Sequence, residues 1–276
     1  MKCEICKKQL NIFKDLKKFK LLRCKDCDHI VTNLKINKTY YKKTYSKNYV
    51  QKKHKNWMNN PNYLLFNQIN NFIQNNKNGK ILDLGCGTGL FLKYLFKKNS
   101  NYDLTGVDII VNKNNKNKNI KFIKKEIYNF VPKTKYKFII SIAVIEHVSK
   151  VNKFIKHIKK ISSKGSYCIM LTLNTKSVLY KLSHILYYLN IKSPFLRLYD
   201  PHHLNHFSKK SFIKFFQING FDLVEDIKTP INMDQVDYPY SNLLSKYIYY
   251  LGIKFIIIIE KIFNVSWLQT SIFVKK

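Results

Sequence analysis

The stretch Lys80-Ile81-Leu82-Asp83-Leu84-Gly85-Cys86-Gly87-Thr88-Gly89-Leu90-Phe91 decides the fold. Lys80 to Leu84 reads as a short apolar strand with a carboxylate near its carboxyl end. Glycine then takes every second position, which lets the backbone turn sharply and come close to a ligand. From Leu90 to about Lys98 apolar residues recur at helical spacing, so a helix starts directly after the loop and presents unpaired N–H groups there. Asp83 is placed to meet a cationic ligand group, which a pure phosphate cradle would disfavour. The spacing is not the G-x-G-x-x-G of dinucleotide sites, and no Lys-Ser/Thr pair follows the last glycine as in a P-loop.

An acidic residue followed by G-x-G-x-G resembles the first motif of class I S-adenosylmethionine (SAM) dependent methyltransferases. The resemblance implies that Gly85, Gly87 and Gly89 lie against the cofactor's methionine portion with Asp83 nearby. Leu104-Thr105-Gly106-Val107-Asp108-Ile109 is a second strand, and its carboxylate falls 25 positions after Asp83. An acidic residue there accepts from the ribose hydroxyls in nucleotide-binding α/β folds, which assigns Asp108 to the cofactor. The third strand, Ile120 to Ile123, leads to Glu126, where the family often places an aspartate that accepts from the adenine amino group. Glu126 can make that bond, with a surface role as the competing reading. Asn112 to Asn119 lacks apolar periodicity and reads as a loop where related enzymes carry a helix.

Phe138 to Val148 is a fourth strand, apolar enough to be covered on both faces, together with the turn that leaves it. Its end, Ile145-Glu146-His147-Val148, resembles a segment that borders cofactor and acceptor in many small-molecule methyltransferases. His147 is accordingly a candidate base, with packing against the next helix as the alternative. A helix over Lys153 to Ile161 and a strand over Ser166 to Leu173 follow. Tyr199-Asp200-Pro201-His202-His203-Leu204-Asn205-His206-Phe207 carries three histidines, but their spacing, with only Asp200 as a carboxylate and no cysteine near, is a weak metal pattern. It instead resembles the H-x-x-x-F-S segment that walls the acceptor pocket in the same group. His203 and His206 are therefore read as pocket or positioning residues and as second-choice bases.

Elsewhere the punctuation is helical. Asn60 as cap, Pro61 in the first turn and Gly79 as stop frame one helix; Ser208 and Gly220 frame another over Lys209 to Asn219. Phe221 to Glu225 is a sixth strand, and Thr270 to Lys275 is a last one that the family inserts antiparallel. Leu243 to Phe263 is strongly apolar, yet Lys246, Lys254, Glu260 and Lys261 interrupt it, so it reads as a packed helix, with peripheral membrane contact through 243–263 left open.

At the start of the chain, Cys3-Glu4-Ile5-Cys6 and Cys24-Lys25-Asp26-Cys27 form two C-x2-C pairs. Two such knuckles can place four thiolates in a tetrahedron, the closed geometry of structural zinc, in a segment too small to have its own core. The glycine that commonly follows each knuckle is replaced by Lys7 and Asp28. Tyr40, Tyr41, Tyr45 and Tyr49 then occupy a polar stretch that reads as linker, packing on the larger domain or covering the cofactor.

The net charge of +34 would ordinarily point to nucleic acid or an anionic membrane. The positive side is nearly all lysine, with only Arg23 and Arg197 as arginines, and Ala143 is the only alanine. That pattern is a chain-wide bias, whereas phosphate-gripping surfaces favour arginine's bidentate fork, so nucleic acid is not the favoured partner. With Cys3 and Cys6 where a leader's charged and apolar regions would stand, the expected location is a reducing cytoplasm.

These readings predict an α/β protein with a Rossmann-like, doubly wound, seven-stranded and mostly parallel sheet whose last strand is antiparallel, plus a small N-terminal zinc ribbon. Expected boundaries are 1–32 for the ribbon, 33–60 for a linker and 61–276 for the methyltransferase domain, with insertions at 177–207 and 231–264. Ribbon and linker resemble an extension seen in methyltransferases of sugar and cell-surface polysaccharide pathways. The resemblance implies SAM as cofactor, zinc as structural metal and a small-molecule acceptor, most simply a sugar hydroxyl. A ribosomal-RNA base methyltransferase and a non-catalytic SAM-binding module are the alternatives.

Overall fold

Strand runs without a polar face are buried on both sides, and they form the centre of this protein. The structure is a computed structural model that describes residues 1–34, 55–76, 79–111, 119–229, 232–237 and 242–276. Three antiparallel strands open the chain: β1 (Leu10–Asp15), β2 (Lys20–Cys24) and β3 (Ile30–Asn33). Then come β4 (Ile81–Leu84), β5 (Leu104–Asp108), β6 (Ile120–Lys124), β7 (Tyr136–Ile142), β8 (Ser162–Leu173), the two-residue β9 (Asn205–His206), β10 (Phe221–Thr229) and β11 (Leu268–Lys275). The main sheet has the order β10-β11-β8-β7-β4-β5-β6. Neighbours from β6 through β8 pair in parallel, and β11 runs antiparallel to both β8 and β10. The chain winds outward from β4 to β6 and then returns to the other side of β4. The carboxyl end of β4 is therefore the switch point, where ligands of such sheets bind.

Helices cover the sheet: α1 (Lys55–Asn59), α2 (Tyr63–Asn75), α3 (Leu90–Lys98), α4 (Val151–Ile161), α5 (Val178–Tyr188), α6 (Ser193–Leu198), α7 (Lys209–Gln217) and α8 (Leu243–Ile262). The cap of α2 is Asn62, not Asn60. The Asn62 side chain accepts from Leu65 N at 3.1 Å, while the Asn60 amide donates to the carbonyls of Asn56 and Asp234. Nor is Gly79 the stop, since α2 ends at Asn75. A Cβ at Gly79 would lie 2.5 Å from Lys137 Cβ, so this glycine clears the neighbouring strand. β8 begins at Ser162, earlier than expected, and α7 ends at Gln217 instead of Asn219. Ser208 does cap α7, in a reciprocal pair with Ser211. The linker tyrosines 40, 41, 45 and 49 and residues 112–118 lie outside the described residues.

The N-terminal strands are not a free-standing appendage. β3 pairs antiparallel with β9, so one four-stranded sheet joins the ribbon to the 177–207 segment. Cys3, Ile5, Leu10 and Leu22 share one buried cluster with Phe207, Phe212 and Phe215. A segment too short to build a core borrows one.

α8 buries Ile253, Ile256 and Glu260 and exposes Leu244, Ile248, Leu251, Phe255, Ile258 and Ile262. Among the described residues no helix is long and apolar enough to cross a membrane.

Gly85 shows how tightly the loop after β4 is built. Its φ is +86°, and a Cβ there would meet Val144 Cγ2 at 2.3 Å. Gly165 has φ +73° but nothing within 4 Å of such a Cβ. Gly85→Ala is therefore expected to cost roughly 2–4 kcal/mol in urea unfolding, from strain plus overlap, and Gly165→Ala about 1 kcal/mol from strain alone.

Candidate active site

Every glycine of the motif turns to the left-handed region, with φ of 86°, 54° and 78° at Gly85, Gly87 and Gly89. Gly89 is the residue that opens α3. The loop is tied back to the second strand: Gly85 N and Cys86 N both donate to Val107 O, and Gly87 N donates to Asp108 Oδ2 at 2.8 Å. Ile110 N donates to the other Asp108 oxygen at 3.0 Å. Each carboxylate oxygen has two acceptor sites, so both retain capacity for a ligand hydroxyl. Burial raises the Asp108 pKa from its ordinary value.

Asp83 is more extreme. It is 2% exposed, and its Oδ1 has no hydrogen-bond partner. Burial, with Asp108 as a nearby like charge, pushes its pKa up to about 8. A buried polar atom without a partner is costly, and a ligand cation would relieve that cost.

Asp83 and the glycine loop line a cleft open to solvent, with Phe91, Ile142, Leu171 and Leu268 on its apolar walls. Trp57 and Gln235 close the rim. Their segments are pinned together, because Asn56 N donates to Asp237 Oδ1 at 3.1 Å and the Asn56 amide donates to Val236 O at 2.9 Å. Glu126 is exposed beyond the end of β6 and is not among the lining residues.

Beside the cleft, past the end of β7, the chain makes an abrupt turn. Ala143 has φ +54°, Val144 lies over Gly85, and a 3-10 turn spans Ile145–His147. Glu146 is 2% exposed, accepts from Thr172 Oγ1 at 3.0 Å, and is pushed by burial up to about 7. Its carbonyl accepts from Leu204 N at 2.6 Å, which ties this turn to the histidine loop.

His147 Nδ1 lies 3.1 Å from His202 O, and its ring sits 5.2 Å from that of His202 and 5.0 Å from that of His203. The cluster thus comprises His147, His202 and His203. His206 belongs elsewhere: it is 1% exposed, its Nε2 lies 3.0 Å from Thr32 Oγ1, and burial lowers its pKa to about 3. Its ring faces the ribbon. His203 is also held well below the usual imidazole range, by burial and by neighbouring imidazoles.

The four N-terminal cysteines converge. Sγ–Sγ distances are 3.7 Å for Cys3–Cys27, 3.1 Å for Cys6–Cys24 and 3.7 Å for Cys6–Cys27. A tetrahedral ion with bonds of about 2.3 Å needs about 3.8 Å between sulfurs, so the donor set fits. Lys7 and Asp28 stand where glycine was missed, and both adopt φ 63°. Lys7 N donates to Cys3 O and Asp28 N to Cys24 O, each at 3.0 Å, so both knuckles keep the turn that glycine favours. Asp28 is also paired with Arg23 and Lys176.

Asp83, the glycines and Asp108 were legible in the sequence; Trp57, Gln235, Glu146 and His202 were not singled out for the site. Glu146 and His202 lay within motifs already quoted, but only the fold shows their burial and company.

A parallel sheet with a reversed last strand, a glycine loop at its switch point and acidic residues at two adjacent strand ends define the class I SAM-dependent methyltransferase architecture. Residues 56–226 match the family described as the methyltransferase domain, and the chain belongs to that family. Malonyl-acyl-carrier-protein O-methyltransferase 2 of Ilyobacter polytropus is 30% identical over 99 residues, 33% of this chain and 38% of that protein. Its second form in the same organism is 28% identical over 108 residues, 37% and 40% of the two chains. The matched stretch thus spans about two fifths of these relatives' length.

The plantazolicin methyltransferase BpumL, solved with a desmethyl-plantazolicin analogue and S-adenosylhomocysteine, superposes with a TM-score of 0.57 at 19% identity, covering 85% of this chain and 94% of that one. The 1,6-didemethyltoxoflavin-N1-methyltransferase of Burkholderia thailandensis gives 0.56 at 8% identity, covering 98% and 99%. These two likenesses show the fold.

Two outcomes follow from the geometry. Native Asp83 keeps its proton up to about pH 8, whereas the unfolded chain releases it near pH 4. The native state therefore holds the extra proton between those values, and stability falls as pH rises through that window. Urea midpoints from pH 5 to 8 should decline for the parent and less steeply for Asp83→Asn. At the first knuckle, Lys7→Gly should raise stability by roughly 1 kcal/mol, because exposed Lys7 holds a left-handed conformation.

Proposed function

We propose that the chain transfers the methyl group of SAM to a hydroxyl of a small-molecule acceptor, a sugar or related metabolite. The observation that carries the cofactor assignment is Asp83, a buried carboxyl with an unpartnered oxygen at the mouth of the glycine loop. Asp83 would hold the ammonium of SAM, the glycine loop its methionine portion, and Asp108 its ribose hydroxyls. When bound, SAM supplies an electrophilic methyl carbon, and the protein's task is to hold the acceptor in line behind it.

For the acceptor, the support is the histidine cluster. A carbonyl 3.1 Å from His147 Nδ1 keeps the proton on that nitrogen, so the lone pair is on Nε2 and can take a hydroxyl proton. His203 is the second candidate on the same cluster, and Glu146 steadies the turn from beneath. The resemblance of the ribbon and linker to extensions in sugar-modifying methyltransferases favours a sugar. We assign the four-cysteine site to structural zinc on its donor set and near-tetrahedral spacing.

Calorimetry with SAM tests the cofactor assignment. Asp108→Ala should weaken binding about a hundredfold, by loss of charge-assisted hydrogen bonds. At pH 7 the parent should release a proton on binding, read from the heat in buffers of different ionisation enthalpy, and Asp83→Asn should not. Methyl-labelled SAM incubated with fractionated extract tests the acceptor. Label in small molecules or glycans supports the reading, and label in RNA with a steep salt dependence would favour the RNA alternative.

A further inference from the structure

The fold brings together what the sequence kept apart. His147, from the turn after β7, meets His202 and His203, and one nitrogen from each ring lies within 4.8 Å of the others. Each ring faces an oxygen through Nδ1: His147 meets His202 O at 3.1 Å, His202 meets Asp200 Oδ1 at 2.5 Å, and His203 meets Leu198 O at 3.4 Å. An oxygen acceptor opposite Nδ1 fixes the proton there and puts the lone pair on Nε2. Metal-binding histidines are set up in this way, one nitrogen held by a carboxylate or carbonyl and the other given to the ion.

We propose that His147, His202 and His203 form a second metal site, distinct from the four cysteines, that binds a divalent ion of zinc type through three imidazoles. Imidazole nitrogen suits zinc, cobalt and nickel, and three such ligands leave a tetrahedral ion one open position. Zinc–nitrogen bonds of about 2.0–2.1 Å place ligand nitrogens about 3.4 Å apart, so small ring rotations close the site. Asp200 is the outer carboxylate that orients His202. The site lies on the turn that also carries Val144 over Gly85, and an acceptor alcohol at its open position would lose its proton more readily. With the ion bound, the Nε2 lone pairs of His147 and His203 are taken up, so the ion replaces an imidazole base as the means of activating the acceptor; the inference rests on the proposed reaction only for that last use of the ion.

The test uses the full chain carrying one equivalent of zinc, so that the cysteines are filled, and titrates it with cobalt(II). The expected result is one further equivalent of bound cobalt whose visible spectrum lacks thiolate-to-cobalt charge transfer. His147→Gln and His203→Gln should abolish that spectrum. Asp200→Asn, which removes no ligand, should weaken cobalt binding by roughly 10–100-fold. Circular dichroism confirms that each variant is folded. Metal content stopping at one equivalent, or a cobalt spectrum unchanged in all three variants, overturns the proposal. SAM heats measured on the same preparations separate the two ideas. SAM binding without the cobalt site sinks only this inference, and a cobalt site without SAM binding sinks only the cofactor reading.

Discussion

The organising constraint of this protein is two carboxyl groups at the ends of adjacent strands, Asp83 buried and Asp108 half-buried. Asp83 and Asp108 are brought together by the pairing of β4 with β5, and each is desolvated. In a chain of net charge +34, the charged group that bears on Asp83 among the described residues is the like-charged Asp108. An arrangement that costs stability in the free protein persists where a ligand offsets it. The clearance of Gly85 for Val144 keeps the loop beside Asp83 at the cleft, and the bonds from Gly87 and Ile110 hold Asp108 against that loop.

The N-terminal ribbon acts on the same site from the other side. Through β3 it holds β9, and Thr32 donates to His203 O at 2.7 Å while its hydroxyl also contacts His206. Glu4 accepts from Asn152 N at 3.0 Å at the start of α4, a second tie between ribbon and main sheet. The cysteine knuckles thus lie beside the strands that hold the histidine loop. Order at the knuckles, including the left-handed turns at Lys7 and Asp28, supports the strand that pairs with the histidine loop.

How much of this was legible follows from the range of the interactions involved. The strands of the main sheet declared themselves because an apolar run buried on both faces leaves a local trace, as at Phe138 to Ile142. The acidic residues and glycines did so because their roles depend on short spacing. The α2 cap was missed by two residues because Asn60 and Asn62 flank the same proline, and only tertiary contacts from Asp234 decide which amide is used elsewhere. The merger of ribbon and domain was invisible because β9 is two residues long. The histidine cluster could not be read because His147 and His202 are far apart in sequence and meet only when the loop before α7 folds back over the turn after β7. His206, the closest in spacing to a metal pattern, faces the ribbon instead.

The central claim is that a nucleoside carrying a cation sits over the carboxyl end of β4. Amide hydrogen exchange with and without S-adenosylhomocysteine tests it most directly. The account predicts slowed exchange at Gly85 to Gly89 and at Asp108 to Ile110, with β1 and β2 unchanged. Unaltered exchange in that loop at saturating nucleoside, or protection confined to another part of the chain, would contradict it.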